Sequence, residues 1–300
     1  MDLGEKGVTQ VVRLVACGDI VGESAVWCDR RQRLFWVDIV GRRIGSYSPD
    51  RDEVDHRATP DLVTSIGLRG DGGAIVGLRK DVMLWDFRDS FTHLATVEPD
   101  ILDNRLNEGR VGPDGAFWVG TMQDNIAGDG SPVPMDRASG GYYRVQADGR
   151  IEPLTAREYG ICNTMAWTAD GRFLCADTLA DQLYVFDHEA DGLHRRRRFG
   201  TPLGRGLPDG SALDRDGFLW NCRVGGGAVT RFAPDGSLDR LIELPCSAPT
   251  SCTFGGSNLD TLFVTSARFG LSDQQRANPD EGALYALEPG VSGLPEHRFG

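Results

Sequence analysis

Six short apolar segments recur along the chain: LFWVD (34–38), IVGLR (75–79), FWVGT (117–121), FLCAD (173–177), LWNCR (219–223) and LFVTS (262–266). Each has the length and content of a β-strand. Asp-Gly turns precede three of them at a matching offset, at Asp114-Gly115, Asp170-Gly171 and Asp216-Gly217, and Asp71-Gly72 falls within one residue of it. Behind each run comes another apolar strand: RIGSYSP, VMLWDF, GYYRVQADG, QLYVFDHEADG, AVTRFAPDG and ALYALEP. Six units of roughly 42 to 56 residues, each with several short strands and Gly-rich turns, have the size of propeller blades. No long stretch repeats its apolar residues every 3.6 positions, which removes the support for an α/β fold. The expected fold is therefore all-β: one six-bladed β-propeller domain over residues 1–300. The segment VTQVVRLVA (8–16) is expected to complete the last blade, so that few strand edges stay exposed.

The remaining composition narrows the partners. With 44 acidic and 32 basic residues the formal net charge is −12, which opposes binding to nucleic acid or to an anionic membrane surface. The one basic run, Arg195 to Arg198, follows an Asp-Gly turn and reads as a solvated strand edge. Seven widely spaced cysteines form no CxxC pair, and the start MDLGEKGVTQ has no apolar leader, so a reduced, cytoplasmic location and a monomer or weak homo-oligomer are expected. No window approaches eighteen apolar residues. Two units carry long polar insertions, 122–140 and 267–282, of a length that commonly serves function.

The repeat also fixes a register. Eleven residues before Leu34, Val76, Trp118, Leu174, Trp220 and Leu262 stand Glu23, Ser65, Asn107, Asn163, Asp209 and Ser251, all bearing side-chain oxygens. The first strand of each blade lines the central channel, so these positions form a ring at one end of it. Oxygen donors without clustered His or Cys suit a hard or borderline divalent ion such as Ca²⁺, Mg²⁺ or Mn²⁺. Strand starts are often Ser, Asn or Asp for turn reasons, a reading that weighs most on Ser65 and Ser251. Glu is not a turn former.

Several motifs resemble those of the gluconolactonase, regucalcin and senescence-marker-protein family: GESAVW (22–27), RLNEG (105–109), VGTM (119–122), ICNTMAW (161–167), LPDGSALD (207–214), TSCTFGG (250–256) and LFVTSARFGLS (262–272). They run in the family's order over nearly the whole chain and look most like bacterial sugar-acid lactonases. The resemblance implies a six-bladed propeller whose channel holds one divalent cation (Ca²⁺, Zn²⁺, Mn²⁺ or Fe²⁺) on Glu23, Asn163 and Asp209. It implies substrate-binding roles for Arg105 and Asn107, and Asp209 as general base. An acidic substrate contact of the family is matched loosely by Asp124 or Asn125. Two positions depart from the pattern: Asn163-Thr164 stands where the family has Asn-Gly, and Asn107-Glu108 where it has Asn-Asp.

The expected chemistry is hydrolysis of an aldonolactone, such as a glucono-, xylono-, arabino- or galactonolactone, to the aldonic acid. A divalent cation would polarise the carbonyl while Asp209 deprotonates water. No GxSxG elbow competes. The rival expectations are a metal-binding propeller without catalysis and a related propeller hydrolase acting on another ester or an organophosphate.

Overall fold

Each of these Asp-Gly turns is braced by a side chain at or just before it. The Asp214 carboxylate accepts the N–H groups of Asp216 and Phe218 at 3.0 Å each, and Gly217 takes φ +82°, a left-handed conformation that glycine adopts without a Cβ penalty. Asp114 caps its turn in the same way through Ala116 N–H at 3.1 Å, with Gly115 at φ +75°. These turns join the first and second strands of their blades. The computed structural model describes residues 10–300, and in it the turns and strands assemble six antiparallel sheets arranged as a six-bladed β-propeller.

From channel to rim, blade 1 runs Gly22–Cys28, Arg33–Asp38, Arg43–Ser48 and Glu53–Ala58, and the next four blades repeat that order from inner strands Val63–Arg69, Asn104–Val111, Cys162–Trp167 and Leu207–Leu213. Blade 6 has inner strands Pro249–Gly255, Thr261–Ser266 and Leu284–Leu287, and takes its outermost strand, Val11–Val15, from the other end of the chain. That pairing closes the ring as the sequence predicts. Blade 2 gains a fifth strand: Arg298–Phe299 pairs in parallel with Leu68 and Arg69 on the channel side. The short final strand lies beyond the repeat, and its apolar content is too small to announce it in the sequence.

The apolar runs pack between blades. Trp36, Trp118 and Trp220 are completely buried, and each indole N–H donates to an aspartate, Asp19, Asp114 and Asp214 respectively. The Arg195–Arg198 run lies on the exposed outermost strand of blade 4, where Arg195 and Arg197 pair with Asp187 and Arg196 with Glu158. No helix among the described residues is long and apolar enough to cross a membrane.

The inner strands share one irregularity. In every blade the pairing with the second strand slips by one residue, between Glu23 and Val26, Val63 and Ser65, Leu106 and Gly109, Asn163 and Met165, Pro208 and Ser211, and Pro249 and Cys252. Such bulges re-aim side chains. The strands start one to three residues before the ring positions. Asn107 is thus the fourth residue of its strand and sits in the bulge.

Candidate metal centre and active site

The bulges turn four of the six ring residues into one cavity of about 190 Å³ at an end of the channel: Glu23, Asn107, Asn163 and Asp209. Ser65 and Ser251 do not line it, and Thr250 takes a place in its wall. Both serines are fully occupied with blade packing. The Ser251 hydroxyl accepts Ala25 N–H from blade 1 at 3.2 Å, and Ser65 lies against Gly77 and Gly109. A hydroxyl is short enough to satisfy a bulged backbone locally, whereas the longer Glu and the amides project past it.

Asn163 and Asp209 meet across the boundary of blades 4 and 5, where Asn163 Nδ2 donates to the Asp209 carboxylate. Thr164 follows with φ +51°, a strained conformation for a β-branched residue. Its hydroxyl compensates by donating to the Asp209 carbonyl, which also accepts Asn221 Nδ2 at 2.9 Å. Threonine in place of glycine therefore adds a bond between the two candidate ligand strands. Glu23 is held alike: its carboxylate accepts Ser24 N–H at 2.9 Å, Ser24 stands at φ +50°, and the Ser24 hydroxyl accepts Ile66 N–H at 3.0 Å.

Arg105 is buried, and burial lowers its pKa to about 10. Its guanidinium donates to Asn107 Oδ1 and Asn125 Oδ1, both at 2.9 Å, and to the Leu106 carbonyl at 2.8 Å. Asn125 lines the cavity, but Asp124 does not; the Asp124 carboxylate turns away to Arg79 and to Ile126 N–H. Both insertions reach this mouth, 122–140 through Met122, Asn125 and Ile126 and 267–282 through Ala267 and Phe269. Val21, Ile39 and Ile161 complete an apolar wall.

Sequence reasoning passed over one residue. Glu108, next to Asn107, is buried and its Oε2 has no hydrogen-bond partner. A charged residue inside an inner strand was the available signal. Burial raises its pKa to about 7, with Arg110 opposing the rise and Glu296 adding to it. Burial, then the Glu108 charge, push Asp209 up to about 8; burial, then the charges of Asp209 and Glu108, hold Glu23 well above the ordinary range. Buried carboxylates this close strongly disfavour their own ionisation. The Arg105 guanidinium spends most of its donors on amides and a carbonyl. An all-oxygen, anionic donor set that lacks a pairing cation fits a hard or borderline divalent ion.

Comparison with known proteins places the chain in a family. The chain is 34% identical to L-arabinolactonase of Azospirillum brasilense over 97% of this chain and 95% of that one, and 33% identical to 6-deoxy-6-sulfogluconolactonase of Pseudomonas putida over 93% and 95%. Its fold superposes on the crystal structure of the calcium-binding protein regucalcin from Agrobacterium tumefaciens with a TM-score of 0.88 and 26% identity, covering 98% of this chain and 97% of the other. Residues 21–268 match the family described as the SMP-30/Gluconolactonase/LRE-like region, and with motifs, architecture and relatives in accord, the chain belongs to that family.

Proposed function

We propose that the protein hydrolyses a sugar-acid lactone to the aldonic acid with one divalent cation held by Glu23, Asn163 and Asp209. The observation that carries this reading is the convergence of two buried carboxylates and an amide with Arg105 in one mouth walled by apolar side chains. A cation bound there supplies Lewis-acid polarisation of the lactone carbonyl and offsets the charge of the carboxylates. The names of the relatives, an arabinolactonase and a sulfogluconolactonase, support an aldonolactone as the substrate class.

The chain's own groups then have distinct tasks. The Asp209 carboxylate takes the proton from the attacking water, and the Asn163 amide fixes its orientation by donating to it. Arg105 directs its remaining Nη2 N–H at a lactone oxygen, while Asn107 and Asn125 hold the guanidinium plane. The wall formed by Val21, Ile39, Ile126 and Phe269 limits water and strengthens those polar contacts.

The test is turnover of a panel of glucono-, xylono-, arabino- and galactonolactones before and after chelation. Hydrolysis of at least one lactone, lost with chelator and restored by a divalent cation, is expected. A protein that takes up a cation and opens none of them is a metal-binding propeller without this activity.

A further inference from the structure

The bulge at Asn163 breaks the ladder between the first two strands of blade 4, where Asn163 stands opposite Ala176 and Thr164 is the inserted residue. A broken ladder leaves buried N–H and C=O groups that must find other partners. Here one hydroxyl lies within hydrogen-bond distance of three of them. The Tyr142 hydroxyl accepts Asn163 N–H at 3.0 Å and holds its one proton between the Ala176 carbonyl at 2.7 Å and the Asn163 carbonyl at 2.8 Å. Tyr142 belongs to the neighbouring blade, at the start of its third strand. Its phenol occupies the gap that a direct ladder bond would otherwise close.

The surroundings are built for that reach. Tyr142 pairs with Gly120, and a Cβ at Gly120 would come within 2.5 Å of Cys162 Cβ, so only glycine lets blades 3 and 4 approach this closely. The ring is completely buried and clamped edge-on between Tyr159 and Phe173, with centroids 5.2 and 5.8 Å away. It touches neither the cavity nor any carboxylate of the centre.

We propose that Tyr142 is a positioning residue for the cation: its hydroxyl sets the backbone of Asn163 and thereby aims the Asn163 carboxamide at the centre. The proposal rests on the reading of Glu23, Asn163 and Asp209 as the ligands. Residues that orient a ligand from behind commonly change metal affinity about 10- to 100-fold. The hydroxyl loss in Tyr142→Phe leaves the ring packing intact and removes the acceptor of Asn163 N–H and the one proton offered to the two carbonyls.

The experiment is calorimetric titration of chelator-stripped protein with Ca²⁺ and with Mn²⁺, on the wild type, Tyr142→Phe and Tyr285→Phe. Tyr285 is the control, because its hydroxyl also bonds a backbone carbonyl, that of Asp280 at 2.6 Å, in blade 6. Both variants should lose thermal stability, but only Tyr142→Phe should bind the cation about tenfold or more weakly, with kcat at saturating cation within a few-fold of wild type. Wild-type affinity in a destabilised Tyr142→Phe overturns the proposal. A wild type that takes up neither cation overturns the reading of the centre itself, a different result. Should Tyr142→Phe fail to fold, 3-fluorotyrosine placed at 142 supplies the answer: its ¹⁹F resonance should move with the midpoint of the Ca²⁺ titration, and a resonance that stays still through saturation refutes the role.

Discussion

Arg105 Nη2 donates to Asn125 Oδ1 at 2.9 Å, joining an inner strand of blade 3 to the insertion that follows its second strand. The partners of this guanidinium are neutral amides and a carbonyl, and the nearest carboxylate oxygen, on Asp124, lies 3.8 Å away. The Asp124 carboxylate is itself engaged by Arg79. A buried cation held by amides keeps its attraction for substrate oxygens, whereas a close carboxylate would quench it. Asp124 thus acts on the mouth from behind, by fixing the insertion, and Asn125 is the neighbour that faces the cavity.

From this follows the behaviour of Arg105→Lys. The charge is kept but the planar fork is lost, so kcat/KM for the preferred lactone should fall about 10- to 100-fold. Cation affinity should hold, since Arg105 is not among the candidate ligands. Parallel loss of cation binding in the same calorimetric titration would move Arg105 into the architecture of the metal centre.

Trp118 and Trp220 carry the blade interiors. Each is fully buried in the second strand of its blade and bonded to the turn aspartate that starts that strand. Truncation to Ala leaves a cavity and takes one donor from the turn aspartate, and should cost about 3 to 5 kcal/mol in denaturant unfolding. A Trp118→Ala protein of unchanged stability that had lost lactone binding would show that the tryptophan serves the mouth and not the core.

Much of this was legible in advance because a propeller writes its register into the sequence. Repeated Asp-Gly turns mark the same corner of several blades, and counting back from the recurring second strands reaches Glu23, Asn107, Asn163 and Asp209. The count could not separate those four from Ser65 and Ser251. That distinction depends on whether a side chain is long enough to pass the bulge or is consumed by the next blade, as Ser251 is by Ala25 N–H. Contacts between blades were hidden for the same reason. Tyr142 stands 21 residues before Asn163, and Glu296 reaches Arg110 from 186 residues away. No local pattern encodes such pairings. Asp124 and Asn125 are adjacent in sequence and point to different partners, which only the path of the insertion decides.

A pH effect should originate away from the centre, at Asp19. Its carboxyl is buried beside Asp38, with Arg43 at 2.7 Å, the Trp36 N–H at 2.7 Å and Cys17 close by. Burial first, then the Asp38 charge, raise its pKa from 3.8 to about 7, although Trp36 and Arg43 oppose the rise. A raised pKa means that the folded state binds more protons than the unfolded one between those limits, so this group's contribution to stability declines as pH rises from about 4 to about 7. Above that range it is flat. In chelator, where the other carboxylates contribute alike to both, the melting temperature of wild type should fall relative to that of Asp19→Asn as pH rises from 5 to 7. Parallel profiles would remove Asp19 from the account.

Asp209 is asked to do two things, and a single substitution can separate them. Asp209→Asn keeps the size and one oxygen, but it removes the negative charge that would attract a cation and accept a proton. Asn163 Nδ2 would then face an amide in place of a carboxylate, a weaker acceptor. Cation binding should therefore weaken, and turnover should fall by ~10² to 10⁴, the usual effect of losing a general base. Measuring kcat at saturating cation isolates the chemical defect, because mass action overcomes the binding defect. The expected result is a kcat that stays low however much cation is added. Recovery of wild-type kcat under those conditions would leave Asp209 as a ligand alone, and Glu23, the other carboxylate of the cavity, would be the next base to examine by the same substitution.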